Sequence, residues 1–187
     1  MKKVEHGKTF DRNAANPPAF EIFHNTVTEG YPEHWHTAIE IIMPTRGEYE
    51  VVVGKDSYNL KEGDIIMINS GVVHGMRFVS QGERIVMLVE PGCVENQEEM
   101  ETIFLRLPAI YFKKEDEEDP FYLFLRSQIL ELVREYDNEG AVMTHRICTG
   151  LKELFSEFGR KGFSDANAQN TFGACLLYTS DAADDRI

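Results

Sequence analysis

The chain has 187 residues, 42% of them hydrophobic and 27% charged, enough for one core of ordinary size and too rich in apolar side chains for a disordered polypeptide. Nineteen basic against 32 acidic residues leave a net charge of −13, which repels a polyphosphate over most of the surface and argues against this chain being itself a nucleic-acid reader. Met1-Lys2-Lys3 is followed by no apolar segment and no run approaches a membrane span, so the expected location is the cytoplasm, with no membrane partner.

Up to about Phe112 the apolar residues come in short runs rich in Val, Ile, Tyr and Phe, punctuated by Gly, Asn and Pro, which predicts an all-β first half. The expected strands are Phe20–Val27, Thr37–Met43, Glu48–Val53, Ser57–Leu60, Asp64–Asn69, His74–Val79 and Arg84–Glu90. Turns are expected at Thr45-Arg46-Gly47, Gly54-Lys55, Glu62-Gly63 and Ser70-Gly71. Many short antiparallel strands at even spacing predict a sandwich or barrel. Residues 1–18 are polar and end in Asn16-Pro17-Pro18, reading as an N-terminal arm to the barrel.

From residue 113 the texture changes. An acidic run, Glu115 to Asp119, serves as a linker over residues 113–120, and Pro120 then opens a helix with Asp119 as its N-cap. Leu125, Ile129, Leu132 and Tyr136 form one apolar stripe on that helix, which stops around Asn138-Glu139-Gly140. Ile147, Leu151, Leu154 and Phe158 repeat the spacing on a second helix ending near Gly159 and Gly162. Residues 121–160 thus predict an antiparallel hairpin whose apolar faces pack on the barrel or pair with a second copy in a homodimer. Residues 161–187 read as an irregular tail, and 175–187 (Cys175-Leu176-Leu177-Tyr178-Thr179-Ser180 onward) have the look of translated adapter sequence, so the natural protein is expected to continue differently beyond Ala174. Cys93, Cys148 and Cys175 are too scattered for a disulfide framework or a metal finger, and Cys93 and Cys148 read as ordinary thiols.

The chemistry is concentrated in Gly30-Tyr31-Pro32-Glu33-His34-Trp35-His36-Thr37-Ala38-Ile39-Glu40. His34, His36 and Glu40 are spaced by even numbers, so one extended strand would turn all three to one face and Trp35, Thr37 and Ile39 to the other. The segment from Gly63 to His74 brings another imidazole to the start of a later strand. Three imidazoles and a carboxylate suit Fe(II), Mn(II), Ni(II), Cu(II) or Zn(II) and leave positions open for water or ligand. Two readings stand for His34, His36, Glu40 and His74: a metal centre, or a polar cluster lining a pocket with no metal required. Arg77 is a candidate anchor for an anionic ligand in that pocket, Tyr49 and Met67 are expected as barrel filling, and His24 and His145 receive no role.

The segment carrying His34, His36, Glu40 and Gly47 resembles the first cupin motif, and Gly63 to His74 resembles the second, with Asn69 where that motif has proline and no asparagine after the histidine. Residues 20–78 with the helical hairpin after them are similar to the N-terminal sensor and dimerisation region of AraC-type transcription regulators. That resemblance implies a cupin-type double-stranded β-helix (a jelly-roll barrel) over residues 1–112, followed by a C-terminal α-helical hairpin. It implies a small-molecule effector, for example a sugar, inside the barrel; a homodimer; no catalysis; and DNA contact only through a helix-turn-helix part that this chain lacks. The competing expectation, favoured by the complete three-His, one-Glu set, is a stand-alone metal cupin enzyme of dioxygenase or isomerase type.

Overall fold

The computed structural model of the protein describes residues 19–26, 30–93, 108–116, 118–138 and 140–161. In chain order these form β1 (Phe20–Asn25), β2 (Tyr31–His34), β3 (Ile39–Arg46), β4 (Tyr49–Val53), β5 (Asp56–Leu60), β6 (Ile65–Ile68), β7 (His74–Phe78), β8 (Glu83–Val89), β9 (Ala109–Phe112), α1 (Pro120–Asp137) and α2 (Met143–Lys161). The strands make two sheets, ordered β1-β8-β3-β6-β9 and β2-β7-β4-β5, with antiparallel pairing throughout. A cluster joining Ile42, Ile66 and Ile68 of the first sheet to Tyr49, Val51, Val53, Leu60 and Met76 of the second shows that the sheets face each other. The result is a jelly-roll barrel.

All seven expected strands are present: β4 to β8 match to within one residue at each end, β1 begins at Phe20 as expected with Val27 outside the described residues, and β3 starts two residues later and runs three residues farther than expected. β2 and β9 were not among the expected strands. β2 contains Pro32, which cannot donate a ladder hydrogen bond, and it is tolerated because β2 is an edge strand bonded to β7 alone. β9 has only four residues. At the turn after β3, Gly47 has φ +79°, and a side chain there would also meet the Gln81 carbonyl oxygen at 2.7 Å, so only glycine fits.

The first sheet is buried on both faces along β3 and β6, and the pleat sorts its residues. Ile42 on β3 and Ile66 and Ile68 on β6 point into the barrel, whereas Ile39, Ile41, Met43, Ile65, Met67, Ile85, Met87 and Val89 point outward into a second cluster. That cluster is completed by the helices: Leu125, Ile129, Leu132, Ile147, Leu151, Leu154 and Phe158 are each at most 3% exposed, and Tyr136 packs edge-on against Phe20 at 6.2 Å. Within one chain, therefore, the apolar stripes are covered by the barrel wall and by each other, so of the two expected covers it is the barrel and not a second copy that buries them. Met67 is corrected: it fills the sheet–helix layer, while Tyr49 lies inside the barrel.

The start of α1 follows the expected chemistry, the Asp119 carboxylate accepting the Phe121 N–H at 2.9 Å with Pro120 in the first turn. Asp64, 4% exposed, knots this region to the barrel. Its carboxylate accepts the backbone N–H groups of Lys61 (2.9 Å) and Lys114 (2.8 Å) and the Tyr111 hydroxyl (2.7 Å). The Tyr122 hydroxyl donates to the Gly63 carbonyl at 2.8 Å, so the Gly63-Asp64 pair of the second motif is a structural joint between β6, β9 and α1. The tail from residue 162 lies outside the described residues.

Candidate metal centre

His34, His36, Glu40 and His74 converge, with one donor atom from each lying within 4.8 Å of all the others. They do so by a different route from a single strand's alternation. His34 closes β2 in the second sheet, where it is the register partner of His74 on β7, their rings 4.5 Å apart. The chain then bends through residues 35–38 and crosses to the opposite wall, where β3 turns Glu40 inward. His36 sits in that crossing, and its carbonyl receives the N–H of Gly71 at 2.8 Å, which ties the crossing to the turn before His74. Trp35 is 56% exposed and takes no part.

The hydrogen bonds fix which ring nitrogen faces the centre. His34 Nδ1 donates to the Pro32 carbonyl at 2.9 Å, His36 Nδ1 to Ala38 at 2.9 Å and His74 Nδ1 to Val72 at 2.8 Å. With the proton held on Nδ1, each neutral imidazole presents the lone pair of Nε2 to the centre, the arrangement that backbone carbonyls enforce at metal sites. Yet His36 Nε2 and His74 Nε2 lie 2.9 and 2.8 Å from the same Glu40 Oε2. Lone pairs facing a carboxylate at that range need a cation between or beside them: protons on the rings, or a metal ion. An ion that held nitrogen and oxygen donors at about 2.1 Å would set right-angled neighbours about 3 Å apart, so the types of donor and the two Glu40 contacts at that spacing fit a divalent metal.

Without metal the cation must be protonic, and the electrostatics show it. Burial works to raise the Glu40 carboxyl, but hydrogen bonds and charge from His36 and His74 outweigh it and bring its pKa down to about 2. Burial disfavours the His74 cation, yet the Glu40 carboxylate overcomes this and raises its pKa. His34 is the exception: partly buried and beside two other imidazoles, its pKa is lowered, chiefly by desolvation, which keeps it neutral and ready to ligate. His36, Glu40 and His74 are buried at 7%, 7% and 3% exposure, whereas His34 is partly exposed, so the centre opens on the His34 side.

Arg77 is not part of this site. Met76 points into the barrel, so Arg77 beside it points out; its side chain is 69% exposed and its guanidinium reaches Glu50 on the outer face at 3.4 Å. The expectation that it anchors a ligand in the pocket is corrected by the parity of β7. A residue the sequence reading passed over is Glu21. It is in register with Leu88, which is in register with Glu40, so the two carboxylates share the inner face two strands apart, about 10 Å between backbones. Phe23, Val86 and Leu88 share this face and are only partly buried, unlike Ile42, Ile66 and Ile68 farther along the sheet. Burial raises the pKa of Glu21. The signal available in the sequence was the alternation of β1, with Phe20 and Ile22 on the helix side.

Residues 25–90 match the family described as Cupin domain. The fold is a cupin barrel with a helical hairpin behind it. A search of curated proteins finds no match. Among solved structures, an apo form of a single-residue variant of ToxT from Vibrio cholerae aligns with a TM-score of 0.54 and 11% identity, covering 78% of this chain and 58% of that one. Wild-type ToxT from the same organism, bound to an unsaturated fatty acid, aligns at 0.47 and 11% identity over 76% and 53% of the two chains. The DMSP lyase DddQ from Ruegeria pomeroyi aligns at 0.34 and 26% identity, over 38% of each chain. This chain thus spans less than two thirds of the ToxT chain.

Proposed function

We propose that this chain is the ligand-sensing and dimerisation portion of an AraC-type transcription regulator, cytoplasmic, with its DNA-binding part outside the sequence given. One observation carries the reading: the wall that lines the site is also the wall that holds the helices. On β3, Glu40 and Ile42 face the barrel while Ile39, Ile41 and Met43 face α1 and α2, and on β8 the same division separates Val86 and Leu88 from Ile85, Met87 and Val89. Any ligand that favours one position of β3 and β8 biases the hairpin through direct packing, which is the differential contact a population shift requires. The likeness in fold to apo ToxT over 78% of this chain supports the reading.

The effector is a small molecule, a sugar or a compound of similar size, lying between the His34 side of the centre and the partly open face of Glu21, Phe23, Val86 and Leu88. Those residues offer an apolar wall with one carboxylate on it. His34, His36, Glu40 and His74 would hold a divalent ion, which when bound would supply an open coordination position for an oxygen of the ligand. Around it, the Pro32, Ala38 and Val72 carbonyls keep the three rings in the ligating tautomer, and Glu21 accepts a hydrogen bond from the far end of the ligand. Dimerisation then uses hairpin surface turned away from the barrel; Leu123 in the first turn of α1 and Val142 in the turn before α2, 51% and 55% exposed, are its large exposed apolar residues at either end.

The complete donor set favours a second reading, a metal cupin enzyme. Two experiments separate them. Sequence of the gene beyond Ala174 should encode a helix-turn-helix region; its absence removes the regulator. Thermal-shift screening of the metal-loaded chain with sugars, polyols and small carboxylates should find a ligand that raises the melting temperature and is recovered unchanged. Turnover of any of them, dependent on metal, would make the enzyme reading correct.

A further inference from the structure

A pair of thiols lies at the seam between barrel and hairpin. Cys93 closes the short 3-10 turn Pro91–Cys93 directly after β8, its N–H donating to the Glu90 carbonyl at 2.9 Å. Cys148 lies on the first half of α2. Both are partly buried against the sheet–helix core, and their sulfurs are 3.5 Å apart with both thiols free. They are 55 residues apart in sequence, so only the docking of α2 on the sheet brings them together. From this geometry we infer that Cys93 and Cys148 form a reversible intrachain disulfide, a modification site that fastens α2 to the end of β8 when the protein meets a peroxide.

The step balances without help from elsewhere in the molecule. One thiol sulfur attacks a peroxide oxygen; the S–O bond forms, the O–O bond breaks, and the leaving hydroxide takes the thiol proton away as water. The second thiol sulfur then attacks the sulfenic sulfur; the S–S bond forms, the S–O bond breaks, and a second water leaves. Two thiols and one hydrogen peroxide become one disulfide and two waters. Burial and the Cys148 thiol push the Cys93 thiol up to about 11, against the opposing influence of Lys152, so thiolate is scarce and the reaction answers to sustained oxidant more than to traces. The bond would join the one strand that carries Val86 and Leu88 inside the barrel to the helix that β8 supports. The inference stands apart from the sensor reading and from the metal.

The test uses the full chain with Cys175→Ser, so that Cys93 and Cys148 are the thiols under study. Treated with hydrogen peroxide under native conditions, this protein should lose the mass of two hydrogen atoms and lose both titratable thiols. A single cross-linked peptide should contain Cys93 and Cys148, and the melting temperature should rise by several degrees until dithiothreitol restores it. Cross-linking should be about tenfold or more faster in the native protein than in urea, because folding supplies the effective concentration. Adding Cys148→Ser should leave Cys93 unable to form any intrachain bond. The inference is overturned if both thiols remain titratable, if one is driven to sulfinic acid while the other stays free, or if the bond forms as fast in urea.

Discussion

Comparing metal-loaded with EDTA-treated protein across pH should separate the two cations that could satisfy the centre. In EDTA the Glu40 carboxylate keeps its close contacts to His36 and His74, and Glu40 and His74 each contribute to stability in a pH window of their own. Glu40 has a folded pKa of about 2 against an ordinary 4.5, so its contribution, about 3 kcal/mol at 1.36 kcal/mol per pKa unit, is complete above pH 4.5 and lost as pH falls from there toward 2. His74 has a raised folded pKa, so its contribution is complete below its ordinary value of 6.5 and lost as pH rises through the folded value. These two contributions are therefore both complete between about pH 4.5 and 6.5 and the His74 one fades on the alkaline side, while His34, its pKa lowered by desolvation, works against stability as pH falls below 6.5. Metal reverses that slope, because it binds the neutral rings and must displace their protons. At a hundredfold excess over its dissociation constant an ion stabilises by about 2.7 kcal/mol, a rise of roughly 5–10 °C in melting temperature for a chain of this size. Melting curves with Mn(II), Co(II) or Zn(II) should show that rise at pH 8 and almost none at pH 5, and Glu40→Gln should abolish it. A shift independent of pH over this range, or one that survives Glu40→Gln, would refute the reasoning.

Other consequences follow from the packing. Leu132→Glu or Leu151→Glu buries an unpaired carboxylate in the sheet–helix layer and should cost at least 3 kcal/mol in urea unfolding, whereas Leu123→Glu with Val142→Glu, exposed at the two ends of the hairpin, should leave stability nearly unchanged and convert a dimer to monomer in light scattering. Asp64→Ala leaves the Lys61 and Lys114 N–H groups without their acceptor, while the Tyr111 hydroxyl keeps the Asn59 carbonyl, and should destabilise by about 2–3 kcal/mol, with the loss read by the same unfolding assay and no loss of metal per folded chain. Arg77→Ala removes only an exposed pair with Glu50 and should change stability by less than about 1 kcal/mol and metal content not at all.

Much of this architecture was legible before any coordinates. The short β-branched runs, the Asp119-Pro120 helix start and the 3-4 spacing of Leu125, Ile129 and Leu132 are local signals, and local hydrogen bonding and pleat geometry decide them. What could not be read locally depended on which sheet a residue joins. His34 and Glu40 have the right parity for one strand, yet the chain changes sheets between them, so the cluster is assembled across the barrel and not along an edge. Arg77 failed for the complementary reason: its place beside His74 is adjacent in sequence, but the pleat sends neighbours to opposite faces. Glu21 was missed because the alternation of β1 assigns it a face without saying what that face meets; Leu88 and Glu40 are brought beside it by pairing over long separations. The hairpin stripes were correctly identified as buried faces, while their cover, the outer side of β3, β6 and β8, was hidden in strands hydrophobic on both sides.

Metal content after loading and gel filtration tests the central claim most directly. Wild-type chain incubated with Mn(II), Fe(II), Co(II), Ni(II) or Zn(II) should retain close to one equivalent of at least one of them, and His74→Ala and Glu40→Gln, verified as folded, should each retain almost none. Wild-type protein that emerges with no bound ion from any of the five, or variants that keep as much as the wild type, would contradict the account.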